Sequence, residues 1–480
     1  MTQVRFSAVT LGVLCLMAGP TREAPAQTGT ALTQTIYPGE DIQARVAAAP
    51  RFATFILKPG VHRLQSITPR SGDTFVGEPG TVLSGARLIT TAVRSGSYWV
   101  VADATNENPQ IGTIATGECR ANAPRCGYPE DLFIDDAPLE HVSRLADVGP
   151  GKWYFDYGAN QIFFSDDPTG KRLETSVTAK AFVGPAIGVT LRGLIIEKYA
   201  TPTHEAAIGL GSQWVIEDSE VRWNHFGGIA SGPRSIARRN RVHHNGGLGL
   251  QGAGEDILVA ENEISYNGFA GYNPFWGSGG SKWVWTIKLV VRDNFSHHNR
   301  GPGLWTDINN IYTLYENNRV EDNERGGIFH EISYDATIRG NTVRRNGTGR
   351  DFPHWTTGAG IEVISSRNVE VDGNVVEDNW QGITALDDHR GSGNAGPWTV
   401  VNLNVHHNII RSRIDDDGAG RIGIIDMKGT GAFLPASNNR FQQNTYSLGD
   451  RRLYFLWMGR EMDEGEWRRF QQDVAGIFER

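Results

Sequence analysis

Cysteine, methionine and charge of one sign are all scarce in this sequence. Three cysteines and five methionines are spread over 480 residues, too few cysteines for a disulfide-built scaffold or a multi-cysteine metal domain. Lysine and arginine total 46 against 54 aspartates and glutamates, a formal charge of −8 with no Lys/Arg block. That excludes the basic surface on which sequence-independent nucleic-acid binding depends. Beyond the N-terminus no apolar run approaches the roughly 18 residues of a membrane span, so no membrane insertion is expected. No phosphate-cradling Gly loop stands between a strand and a helix, and neither G-x-S-x-G nor H-E-x-x-H occurs. Nucleotide and serine-hydrolase chemistry therefore lack support.

What is abundant is glycine, 58 residues, together with 13 tryptophans and a 39% hydrophobic content. This combination fits a turn-rich β protein carrying aromatic surface. Residues 1–26 read as an export signal: Arg5 precedes the apolar run 6–18, and Ala24-Pro25-Ala26 offers the small-x-small cleavage pattern. Cys15 lacks the small residue before it that a lipoprotein site needs. The mature chain is expected to be secreted or periplasmic. There, Cys119 and Cys126 are expected to form one disulfide closing a small surface loop. A zinc site is the competing reading, but further ligands at suitable spacing are missing nearby.

From residue 219 onward one phrase recurs: a strand-like run, N-x4-N, then glycine. It occurs at Asn240/Asn245, Asn262/Asn267, Asn294/Asn299, Asn318/Asn323, Asn341/Asn346, Asn374/Asn379 and Asn439/Asn444, with degenerate copies at Ser219/Asn224 and Asn408. Steps between first positions are 21, 22, 32, 24, 23, 33, 34 and 31 residues. Such a period, with short β-branched runs bounded by Asn and Gly, predicts a solenoid coil of two or three strands. Asn and Gly suit left-handed corners, and stacked asparagines would satisfy one another along a ladder. The expected fold is all-β, a single-stranded right-handed parallel β-helix.

On these copies the chain resembles the pectin-lyase-like superfamily of β-helix proteins. Residues 54–63 and 72–86 resemble that superfamily's first coils, and Asp41 is placed to N-cap a short helix (Ile42, Val46, Ala49) plugging the open end. Segment 151–170 resembles a small β insertion of some β-helical glycoside hydrolases, and 453–480 resembles their strand-plus-helix cap. The expected organisation is 27–95 for the N-terminal cap and first coils, then 96–180 for the insertion with its disulfide. The β-helix with groove-lining loops follows at 181–445, and the C-terminal cap at 446–480. A chain capped at both ends is expected to be a monomer. The resemblance implies carbohydrate chemistry as a class, not one reaction, because the superfamily holds hydrolases, lyases, epimerases and binders.

Four steps exceed the basic coil, with extensions at 268–283, 347–360, 381–398 and around 414–432. Attached at similar points, they would stack as walls of a groove and carry Trp276, His354, Trp355 and Trp398. Loops merely packed onto the helix body are the bland alternative. Between the first two extensions, 303–310 and 327–335 align at an offset of 24. Strand alternation then turns Leu304, Thr306 and Ile308 inward, with Trp305, Asp307 and Asn309 outward. In the next coil Ile328, His330 and Ile332 face in, while Phe329, Glu331 and Ser333 face out. Asp307 and Glu331 thus stack on one outer face beside stacked Trp305 and Phe329.

Carboxylates one strand apart do not both ionise cheaply; one proton is held, leaving an acid beside a base. Glycoside hydrolysis needs that division, so Asp307 and Glu331 are the candidate catalytic pair. A solvated acidic stack or a Ca2+ site from the same oxygens is the alternative, and Ca2+ is a candidate cofactor. Asn310, Tyr334, Lys282 and Trp283 are candidate supporting residues, whereas His330 faces inward, more like a core histidine than a ligand. Asp387-Asp388-His389 loosely resembles the paired aspartates of β-helical polygalacturonases. The family's Asn-Thr-Asp and Arg-x-Lys elements are absent around it, so no role carries over. Asp415-Asp416-Asp417-Gly418 reads as an acidic turn, or a Ca2+ loop.

The expected activity is a glycoside hydrolase on a polysaccharide or oligosaccharide. A polysaccharide lyase or uronan epimerase is the alternative, with Arg350, Arg367 and Arg390 as its groove cations. A non-catalytic carbohydrate-binding β-helix is a further alternative; it predicts even coils, and the uneven 31–34-residue steps count against it.

Overall fold

The computed structural model describes residues 32–104, 114–349, 356–414, 418–429, 431, 434–449 and 453–479. Among these, three long sheets of 13, 13 and 11 strands run the length of the chain, parallel except for the last strand of the third, Arg460–Met462. Successive coils contribute one short strand to each sheet, so Ala336–Arg339, Thr342–Arg344 and Ala359–Ile364 belong to three different sheets. We call them sheets A, B and C. Short strands suffice because each hydrogen-bonds to the coil above and the coil below.

The two Asn corners explain the repeat. Each ladder asparagine follows a residue held at positive φ, as in Arg239 before Asn240, Asp293 before Asn294 and Arg345 before Asn346. That conformation costs a non-glycine residue about 1–2 kcal/mol. The asparagine offsets it: Asn318 Oδ1 accepts from the Asn294 backbone at 3.1 Å and from its Nδ2 at 3.0 Å. Asn318 Nδ2 in turn donates to Val291 O and to Asn341 Oδ1. One ladder runs Asn240–262–294–318–341–374–408, and a second runs Asn224–245–267–299–323–346–379.

The last copy departs from the sequence register. Asn408 donates to Asn444, not Asn439, so the final motif slips by one corner. Asn439 instead holds the backbone of Leu403 and Val400. Below Asn444 the ladder ends on Asp473, whose carboxylate accepts from Asn444 and from the Tyr446 hydroxyl.

Inward-facing Ile, Val and Leu fill the space between the sheets, for example Ile216, Val259, Val291, Ile338, Val371 and Val405 in one column. Each such buried side chain contributes about 1.5–3 kcal/mol. At the N-terminal end helix Ile42–Ala48 covers the core with Ile42 and Val46, its Asp41 cap accepting from Ala44 N at 3.0 Å. At the other end helix Glu464–Arg469 buries Trp467 against Phe455.

Among residues 86–104 and 114–176, strands outside the coil pair mostly antiparallel around their own apolar cluster, including Trp153, Phe155 and Phe164. The Cys119–Cys126 disulfide is formed. Its loop is pinned to the coil by His225, which bonds Cys126 O at 2.7 Å and Asp131 at 3.1 Å. Arg120 adds a bond to Glu324 at 2.7 Å. No helix among the described residues is long and apolar enough to cross a membrane. Residues 1–26, His354, Trp355 and Asp415 to Asp417 lie outside the described residues.

Candidate active site

Sheet C carries the pair. Strand Pro302–Asp307 lies parallel to Gly326–Glu331 with Trp305 beside Phe329, Thr306 beside His330 and Asp307 beside Glu331. The expected register holds along these strands. Asp307 is 6% and Glu331 9% exposed, so both carboxylates are held largely away from water on the outer face of the sheet.

Each has its own cation. Lys282, on the preceding strand Gly279–Ile287, places its ammonium 2.9 Å from Asp307 Oδ2 and 3.7 Å above the centre of the Trp305 ring. The same ammonium donates to Trp276 O at 3.0 Å, which ties the first extension to the site. Arg390, in the third extension, pairs with Glu331 and lies 3.6 Å from Asp388. Burial, then the Asp307 charge beside it, pushes the Glu331 carboxyl above the ordinary carboxylate range against the pull of Arg390, Arg325 and Lys282. Asp307 Oδ1 is buried with no hydrogen-bond partner among the described residues.

Two further groups complete the constellation. Glu362, on strand Ala359–Ile364, stands beside Phe329 in the same outward column. Its burial raises its carboxyl to about 7, with Arg325 pulling down and Glu331 pushing up. Its Oε1 has no hydrogen-bond partner among the described residues. Arg325, buried, lies over Phe329 at 4.3 Å, Phe275 at 4.5 Å and Trp305 at 5.6 Å. The sequence does carry a signal for Glu362: Gly-Ile at 360–361 repeats the Gly-Leu of 303–304 and the Gly-Ile of 327–328. Arg325 has none, since it sits in the turn before its strand.

Other expected residues divide. His330 faces inward as expected, its Nδ1 2.8 Å from the Thr306 hydroxyl and Nε2 3.1 Å from Tyr334 O, and burial lowers it to about 4. Trp305 is on the outer face but only 1% exposed, stacked on Phe329 at 5.3 Å. It is a floor covered by cations, not an open sugar platform. Trp283 is core.

Beyond Asp307 and Glu331 the alternation fails. Ile308 and Asn309 both take φ near 60°, and Ile332 takes 34°, so the chain turns instead of continuing as strand. Ile308 is therefore half-buried at a corner, not inward. Ser333, expected outward, is fully buried and joins Asn310 and Ser366 in a third polar ladder. Asn309 Oδ1 accepts from Asn394 N at 3.0 Å, and the Tyr334 hydroxyl donates to Gly396 O at 2.9 Å. Both hold the third extension in place.

Asp387 is fully buried and its carboxylate accepts from Thr399, Val400 N and His389 N. It is a loop anchor. Asp388 bonds Ser365, and His389 bonds Asp426 at 2.7 Å. Asp388 thus reaches the site only through Arg390. A cavity of about 390 Å3 lies elsewhere, between the disulfide loop and the coil, lined by Arg120, Arg125, Asp131, His141, His225 and Arg300. Most of these polar groups are engaged in pinning the insertion.

The stacked sheets, the Asn ladders and the capped ends define a right-handed parallel β-helix protein. A family described as "right handed beta helix region" matches residues 206–376. Among solved structures, the complex of XylC with xylose is similar at 14% identity, covering 91% of this chain and 82% of that one, with a TM-score of 0.64. The A-module of the Azotobacter vinelandii mannuronan C-5 epimerase AlgE4 is similar at 13% identity, covering 92% and 94%, with a TM-score of 0.51. At these identities the likeness is one of fold. No curated protein matches the sequence.

Proposed function

We propose that the chain is an exported enzyme hydrolysing glycosidic bonds in a polysaccharide or oligosaccharide, with Glu331 as proton donor and Asp307 as base or nucleophile. The observation that carries this reading is the in-register pair, largely buried, in which burial and Asp307 raise the Glu331 carboxyl and so favour its protonated form. Glu331 gives that proton to the glycosidic oxygen as the C–O bond breaks. Asp307, beside the Lys282 ammonium, takes a proton from the attacking water or bonds the anomeric carbon. The structural likeness to a protein seen with xylose supports a sugar ligand.

A second reading has its own observation. Lys282, Arg325 and Arg390 bring three cations to the carboxylates, groups that can pair with a uronate carboxylate, and proton abstraction beside it would then lead to β-elimination or epimerisation. The likeness to an epimerase module fits it.

Neutral and uronate-containing polysaccharides, incubated with the wild type and with Glu331→Gln, decide between them when reducing ends and ultraviolet absorbance of unsaturated product are read together. Reducing ends without absorbance, lost in the variant, are expected. Matching absorbance would replace hydrolysis by β-elimination. Silence on every substrate would overturn the cleavage reading.

A further inference from the structure

Away from sheet C, at the corner where sheet A turns into sheet B, two adjacent histidines face one aspartate. His406 ends strand Leu403–His406, and Asp372 stands beside it on the neighbouring strand Val369–Asp372. His406 Nδ1 is 2.7 Å from His407 Nδ1 and 3.1 Å from Asp372 Oδ1. His407 Nδ1 is 3.5 Å from the same oxygen. Among the described residues these three form the one group of His, Cys, Asp or Glu whose ligand atoms lie within 4.8 Å of one another.

The other nitrogen of His406 makes the cluster more than a coincidence. Its Nε2 is 3.0 Å from Glu370 Oε1. A carboxylate only accepts, so Nε2 carries the proton, and in the neutral ring Nδ1 is left as a bare lone pair. That lone pair then faces a second lone-pair nitrogen or its single proton, and a carboxylate oxygen. Three electron-rich atoms converging this closely call for a cation between them. A carboxylate that orients a histidine through its far nitrogen is the usual outer partner of a metal-bound imidazole.

Two similar His-His pairs in the chain lack the third ligand. His243 and His244 are 2.8 Å apart, and His297 and His298 2.9 Å, each with a glutamate near the first ring's Nε2. Beside His243 on the preceding strand stands Arg222, and beside His297 stands Ser265. An arginine repels a cation and a serine is a poor ligand, so Asp372 singles out the third pair.

We propose that Asp372, His406 and His407 bind a divalent transition-metal ion of the zinc class through two imidazole Nδ1 atoms and one carboxylate oxygen. Metal–nitrogen bonds of about 2.0–2.1 Å need the ligand atoms roughly 3 Å apart or slightly more. Only the nitrogen–nitrogen distance must widen, and His407 is exposed and has room to move. The remaining coordination positions face solvent. Imidazole ligands select zinc, copper or nickel over calcium. The ion would fasten two successive coils on either side of the third extension, which makes it a structural clasp separate from the carboxylate pair.

The test is equilibrium dialysis of the tag-free, EDTA-treated full chain against Zn2+, with thermal unfolding in parallel. One equivalent bound and a raised Tm are expected in the wild type. Both should vanish in His407→Ala, whose exposed side chain leaves the fold intact. Glu370→Gln should weaken binding about tenfold or more by freeing the ring, and His244→Ala should change nothing. Absence of saturable Zn2+ binding, equal binding in His407→Ala, or equal competition by Ca2+ would each overturn the proposal.

Discussion

The Lys282 ammonium lies 2.9 Å from the Asp307 carboxylate, across the gap between two strands of one sheet. Asp307 therefore depends on a residue from the coil before it, just as Glu331 depends on Arg390 from a loop two coils beyond. Removing one member of a buried pair leaves the other uncompensated, at a cost of about 3–5 kcal/mol. Lys282→Met is expected to lower stability on that scale in urea unfolding. Lys282→Met combined with Asp307→Asn should recover most of the loss, and an additive double variant would show the pair to be uncoupled.

The acid role proposed for Glu331 has a kinetic signature. Glu331→Gln should lower kcat about 10²–10⁴-fold on the substrate identified, the range expected for loss of a general acid. Its Tm should fall, because Arg390 loses its carboxylate partner, so kcat is compared at a temperature where both proteins are folded. A variant with unchanged kcat would remove Glu331 from the chemistry.

Glu362 predicts how stability varies with pH. Its folded carboxyl sits at about 7 against an ordinary 4.5, so the folded chain holds a proton that the unfolded chain releases. Stability from this group is full below about 4.5 and falls as pH rises through 7, by about 3 kcal/mol over the window. Glu362→Gln abolishes that fall. Its Tm should exceed wild type at pH 8 and converge with it near pH 5; parallel pH profiles would refute the assignment.

His225 works in the same direction on the disulfide loop. Burial opposes its charge, but Asp131 and the Cys126 carbonyl outweigh burial and raise it above its ordinary value. Arg125 and His141 face the same pocket, and Glu130, which acts on His225 through its charge and is raised to about 7 by burial, also loses stability as it ionises. The His225 contribution is full below about 6.5 and is lost as pH rises through its folded value, Glu130 loses its part between about 4.5 and 7, and His141, lowered by burial, works the opposite way. Amide exchange in 114–131, corrected for its intrinsic base-catalysed rate, should therefore accelerate above neutrality. In His225→Ala it should be fast already at pH 6.

Asn318→Ala tests the ladders. It leaves the Asn294 donors and the Val291 carbonyl without their partner, each buried loss costing about 1–3 kcal/mol. A total near 3 kcal/mol or more is expected by chemical denaturation, against almost none for the exposed Asn394→Ala.

The repeat was legible because a buried asparagine at a left-handed corner has few substitutes, so its spacing marks the coils directly. Asp307 and Glu331 were legible because coils without insertions keep their register. Glu362 was hidden by the long step from Asn341 to Asn374, which hides the offset that aligns it with Phe329. Arg390 was visible only as a loop cation, since its reach to Glu331 depends on how Asn309 and Tyr334 hold the extension. Ser333 was misplaced because period-two alternation has no meaning once φ turns positive at Ile332. The slip from Asn439 to Asn444 has a similar cause: both asparagines fit a corner, and only the neighbouring coil decides between them.

Asp473 gives the ladder its end. Every asparagine in the series hands its side-chain N–H onward and receives one from the coil before, a relay that has no internal reason to stop. An aspartate receives but has nothing to hand on. Placed under Asn444, it works as a chain terminator for a polymer of coils. Asp473→Asn would place an NH2 where the Asn444 and Tyr446 donors now find a carboxylate oxygen.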